Sequence, residues 1–151
     1  MSANSDHPGP VESSEDVYRR VLKIYYDPSL EVAVSILAFK PSSASANGVS
    51  ADDNGISVVR VKFTESTKDA LAGVAGDKIH TYYITTLPVA LFNGIDLTVV
   101  EAYRLYCIGH ACVKELNYTA CSDKTKKAAL KEKMLILARS ASSSMILSPV
   151  G

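Results

Sequence analysis

Leu130, Met134, Leu137, Ala138 and Ala141 recur at i, i+4, i+7, i+8 and i+11, which places one apolar stripe on one face of a helix. The spacing predicts a long amphipathic helix opening near Ser122 or Asp123. The stretches before it read as strands separated by short helices. A doubly wound parallel sheet needs a regular helix between successive strands, and the intervening helical stretches are too short to provide one. This order predicts an α+β fold: a single domain, a mainly antiparallel sheet with short helices, and one long C-terminal amphipathic helix. The length agrees, because 151 residues lie within the roughly 100–200 of one domain.

The strands are read from β-branched and aromatic runs bounded by turn residues. Val17 to Tyr26 is expected as a strand closed by Asp27-Pro28-Ser29. Val32, Val34, Ile36 and Ala38 alternate at period two and predict a strand ending at Lys40-Pro41. Residues 41–55, rich in Ser, Asn, Asp and Gly, form a loop. Ile56 to Phe63 is the next strand, with Val59, Val61 and Phe63 on one face and Arg60 and Lys62 on the other. The two runs are expected to pair as a hairpin with a long connection. Ser66, with Asp69 three residues on, predicts a capped helix through Ala75. Residues 78–85 read as a strand, and Thr86-Leu87-Pro88 opens a brief helix that Asn93-Gly94 closes in a left-handed conformation. Strands are expected at 97–100 and 108–113, and an edge strand at Met145-Ile146-Leu147.

Lys+Arg and Asp+Glu are both 16, so formal net charge is zero, and apolar residues make up 47% of the chain. These values exclude a wholly disordered chain and a disulfide-dense miniprotein. They also argue against a protein built chiefly to coat nucleic acid. Charge is unevenly placed. Residues 1–16 carry −4, from Asp6, Glu12, Glu15 and Asp16, and read as a disordered acidic tail ahead of a domain spanning 17–151. Residues 114–139 carry seven basic and three acidic side chains, a net of +4. That basic segment is a possible nucleic-acid surface through Lys124, Lys126, Lys127, Lys131 and Lys133. The simpler explanation is the solvated face of an amphipathic helix. No basic start with an apolar stretch marks a secretory signal, and no apolar run approaches the roughly 20 residues of a membrane span. Three cysteines packed into 107–121 make a poor disulfide framework. A cytoplasmic protein with no membrane partner is expected.

Phosphate-cradling, zincin and nucleophile-elbow motifs are absent. Cys107, His110 and Cys112 match no standard zinc spacing, so no metal and no cofactor is expected. His110 and Cys112 lie two apart on a strand and would serve poorly as base and nucleophile. The candidate catalytic residues are His110, His80 and Arg19. Eight tyrosines and no tryptophan suggest interface use. Tyr103 and Tyr106 flank Arg104, and Tyr103, Arg104, Lys124, Lys127 and Lys131 are the candidate binding residues.

Tyr18-Arg19-Arg20, Ala38-Phe39-Lys40-Pro41, Gly55-Ile56-Ser57-Val58 and His110-Ala111-Cys112-Val113 resemble the Y-R start, A-F-x-P, G-I-S-V and H-A-x-V strand motifs of a set of small bacterial proteins. The resemblance spans about residues 17–114 and implies no activity. It singles out Arg19, Ser35, Ser57 and His110 as polar motif positions that either line one cleft or satisfy backbone groups at strand ends. The first expectation is a non-enzymatic accessory or interaction protein of a bacterial multi-protein system, for example one of defence type, that binds a protein partner. The alternative is a small enzyme acting on a nucleotide or nucleic acid, with Arg19 and Arg104 holding phosphate and His80 or His110 as acid/base.

Overall fold

The computed structural model describes residues 9–40, 55–117 and 123–147. Residues 1–8 of the expected tail, 41–54 of the expected loop, and Cys121 lie outside them. Among the described residues, six strands form one sheet: β1 Asp16–Leu22, β2 Ile56–Arg60, β3 Tyr82–Pro88, β4 Val99–Glu101, β5 His110–Val113 and β6 Met145–Ile146. Their order is β4-β5-β2-β1-β3-β6, and every neighbouring pair is antiparallel. Two helices accompany them, α1 Val89–Gly94 and α2 Lys124–Ser142. The chain is the α+β domain that the order of its elements predicts.

Helix α2 begins where Asp123 accepts the backbone N–H of Lys126 at 3.0 Å, satisfying one of the four donors that a helix start leaves free. All five stripe residues are buried. They share a core with Val17 and Val21 of β1, Ile56 and Val58 of β2, and Ala111 and Val113 of β5. Period-two alternation turns the intervening residues (Tyr18 and Arg20, Ser57 and Val59, His110 and Cys112) to the other face. A smaller cluster of Ala70, Leu71 and Ile84, with Tyr18 and Tyr82, covers part of that face. β2 enters the sheet at Gly55, whose φ is +88°. A β-carbon there would stand 1.6 Å from the Val113 carbonyl oxygen, so only glycine fits.

Several local expectations are corrected. Val32–Ala38 is not a strand: Val34 makes one isolated bridge to Tyr26, and Ile36–Phe39 is a 3-10 turn. Ser35 Oγ accepts the Leu37 N–H at 3.1 Å and starts that turn. Ala38 and Phe39 are then both buried against the helix side of the core, while Leu37 is exposed. The expected hairpin with residues 56–63 goes with it, because β2 lies between β1 and β5. β2 ends at Arg60, and Val61–Phe63 is a further 3-10 turn. Ser66 and Asp69 do open a turn, but it is 3-10 and stops at Leu71, and residues 76–81 are 3-10 before β3. After α1 the left-handed residue is Asp96, at φ 62°, rather than Gly94.

Arg60 departs most from its expected place. It is 0% exposed, and its guanidinium donates to Glu15 Oε1 and Oε2 at 2.7 and 2.6 Å, to Gly9 O at 2.7 Å and to Pro10 O at 3.0 Å. Residues 9–15, read as tail from their composition, thus lie against the sheet.

Candidate functional site

The face away from α2 carries a small pocket between the sheet and residues 70–72. Tyr18 and Arg20 of β1, Ser57 of β2, and Cys107 and His110 from the β5 side line it. It has room for about one water molecule, well short of the roughly 300–1,000 Å³ of a drug-sized ligand site.

His110 is the best-defined group in the pocket. Its Nδ1 lies 2.9 Å from the carbonyl oxygen of Ala102, and its Nε2 lies 3.1 Å from Ser57 Oγ. A carbonyl only accepts, so in the neutral ring Nδ1 carries the hydrogen and Nε2 presents its lone pair to the Ser57 hydroxyl. Burial holds the imidazole below its ordinary pKa of 6.5; the Ala102 carbonyl works against this, and the positive charges of Arg104 and Arg20 add to it. The ring is therefore neutral and oriented. Burial also pushes the Cys107 thiol up, so Cys107 is a packed thiol rather than a thiolate.

The same Ala102 carbonyl accepts a second hydrogen bond, 2.9 Å from Arg104 Nη1. The structure thereby brings together two residues singled out from sequence, His110 and Arg104, at the base of the β4–β5 connection. That connection is a tight turn: Arg104 and Cys107 exchange backbone hydrogen bonds at 3.2 and 3.0 Å, leaving Leu105 and Tyr106 as its two corner residues. Leu105 is 89% exposed, Tyr106 64% and Ile108 48%. Turn corners ordinarily take Gly, Asn, Asp, Ser or Pro, so a leucine and a tyrosine there meet no local backbone need. The Tyr103 N–H donates to Glu101 Oε2 at 2.8 Å, and the ring of Tyr106 lies over Gly73. The tip is braced from both sides.

The remaining candidates lie apart from this site. Arg19 projects from β1 on the helix side of the sheet, where Nε and Nη2 donate to Ala38 O at 3.0 and 2.8 Å and Nη1 to Ser57 O at 2.8 Å. It satisfies backbone carbonyls, the second of the two roles weighed for it. His80 is exposed on the 76–81 turn and does not line the His110 pocket. Lys124, Lys127 and Lys131 are exposed on α2, and among the described residues no ion pair involves them. Among the described residues no three His, Cys, Asp or Glu side chains gather as metal ligands would.

Sequence reasoning missed Arg20, Leu105 and the Glu15–Arg60 pair. The missed signal at the tip was two bulky residues where a turn was due. Comparison with known proteins finds no family model, no curated protein and no solved structure that matches this chain.

Proposed function

We propose that this protein is an accessory, protein-binding component of a bacterial multi-protein system, and that it grips its partner through the tip of the β4–β5 turn. One observation carries the reading: Leu105 stands almost wholly in water, and Tyr106 beside it rests on Gly73 with most of its ring exposed, on a turn already fixed by hydrogen bonds. A rigid aromatic and an aliphatic anchor presented without further ordering lose little entropy on docking. Burying side chains of this size contributes about 1.5–3 kcal/mol each. The exposed guanidinium of Arg104 beside them favours an apolar pocket rimmed by carboxylates. The bacterial setting rests on the resemblance of the strand motifs. A cytoplasmic location belongs to the same proposal: Cys107 is a buried free thiol, and among the described residues no helix is long and apolar enough to cross a membrane.

The test is capture from the host at moderate salt with the wild type, with L105D/Y106S and with K124E/K127E/K131E. A stoichiometric protein retained by the lysine variant and lost by the tip variant supports the proposal. With that partner purified, Leu105→Ala should weaken affinity by about tenfold or more. A partner held equally by the tip variant overturns it. Nucleic acid held with a steep salt dependence and lost in the lysine variant transfers the function to α2.

A further inference from the structure

We infer that Ser57 and His110 form a nucleophile–base dyad able to cleave small acyl esters, at a site separate from the partner-binding tip. Three features of the pocket carry the inference. Ser57 Oγ lies 3.1 Å from His110 Nε2, within reach for proton transfer. His110 is oriented by a third group, the Ala102 carbonyl, which fixes the hydrogen on Nδ1 and leaves Nε2 as the acceptor. A backbone carbonyl thus occupies the place that a carboxylate takes in a hydrolytic triad. The third feature is Arg20, which lines the pocket and makes no hydrogen bond or ion pair among the described residues; its guanidinium rests 5.7 Å from the centre of the Tyr82 ring.

The chemistry balances without any further reactant. As Ser57 Oγ bonds to the ester carbonyl carbon, its proton passes to His110 Nε2 and the carbonyl electron pair moves to oxygen, for which Arg20, lining the same pocket, is the positive charge available. When the carbonyl reforms, the ester C–O bond breaks and the leaving alcohol takes the proton from Nε2. Water arriving at the pocket mouth then gives a proton to Nε2 as it attacks the acyl carbon. Ser57 departs with that proton, so one ester and one water become one acid and one alcohol. The pocket itself holds about one water molecule, so only the carbonyl oxygen of a small ester enters it and the rest of the ester stays at its mouth.

A fluorophosphonate probe and 4-nitrophenyl acetate test this on the full-length protein. The wild type should gain one probe adduct, mapped to Ser57 by peptide mass spectrometry, with fluoride and the Ser57 proton released. Ser57→Ala, a change that leaves the backbone ladder intact, should gain none. His110→Gln should label about 100-fold or more slowly. In the wild type, the labelling rate should rise with pH through an inflection below 6.5, which a merely structural histidine would not impose. If His110→Gln fails to fold, that pH profile decides between the roles. No adduct, an adduct on a tyrosine alone, or a labelling rate without an inflection below pH 6.5 overturns the inference.

Discussion

Among the described residues Arg60 is the largest side chain wholly removed from solvent, and its charge is matched by the carboxylate of Glu15, 45 positions away in the chain. Burial alone would raise the Glu15 carboxyl. The hydrogen bonds from Arg60 and from the Glu12 N–H, with the charges of Arg60 and Lys62, outweigh it and hold the pKa below 4.5. Removing one partner leaves an uncompensated buried charge, so Glu15→Ala should lower unfolding free energy by about 3–5 kcal/mol in urea titration. The two perturbed groups also predict how stability varies with pH. The unfolded chain takes up a proton at histidine near 6.5 more readily than buried His110 does, so stability falls as pH drops below that value. Glu15, whose folded pKa is lowered, contributes stability that is present above 4.5 and lost as pH falls further. Urea midpoints should therefore decline in two steps between pH 7 and pH 3, with His110→Gln flattening the first and Glu15→Gln the second. None of this was legible locally. Alternation along β2 placed Arg60 opposite Val59, and in a strand covered on both faces that alternation does not say which face meets water.

At the scale of the element, the well-read parts are those whose signal is repeated. Five apolar residues at helical spacing and an aspartate at the start specify α2 without reference to any tertiary contact. Asp123→Ala should reduce stability by about 1 kcal/mol, seen as a lower thermal midpoint by circular dichroism. Val32–Ala38 shows the opposite case. Its period-two pattern is four residues long, and a single hydroxyl, Ser35 Oγ, is enough to divert it into a turn that buries Ala38 and Phe39 together. The β4–β5 tip is the element on which function is proposed, and it predicts an asymmetry between stability and binding. Leu105→Asp should change unfolding free energy by no more than about 0.5 kcal/mol, because that side chain lies almost wholly in water, while abolishing partner capture. A large stability loss in that variant would mean that the tip packs rather than binds.

Across the whole molecule, α2 and the strands β1, β2 and β5 contribute side chains to one core, and Ser144, just past the helix, donates to the Thr86 carbonyl of β3 at 2.8 Å. Helix and sheet should accordingly unfold together: far-ultraviolet ellipticity and tyrosine fluorescence should give coincident urea transitions. A helix that melts first would mean that the stripe is only loosely docked. The polar groups at the pocket divide the two sources of information clearly. His110, Arg104 and Ser57 were each visible in the sequence as polar residues in or beside strand motifs. Their meeting was not, because Ser57 and His110 are 53 positions apart and face one another only through the β2–β5 register, which pairs Val59 with His110 and Ser57 with Cys112. Arg19, equally visible, went to the opposite face and to two backbone carbonyls. By itself the sequence determined the α+β class, the long helix and its buried stripe, the cap at Asp123 and the edge strand at Met145–Ile146. Those features follow from local periodicity and capping, which act over a few residues. Tertiary structure alone decided strand order, the burial of Arg60, the 3-10 turn at 36–39 and the gathering of Ser57, His110 and Arg104. Each of these depends on which distant segment supplies a hydrogen-bond partner, and no short stretch of chain carries that information.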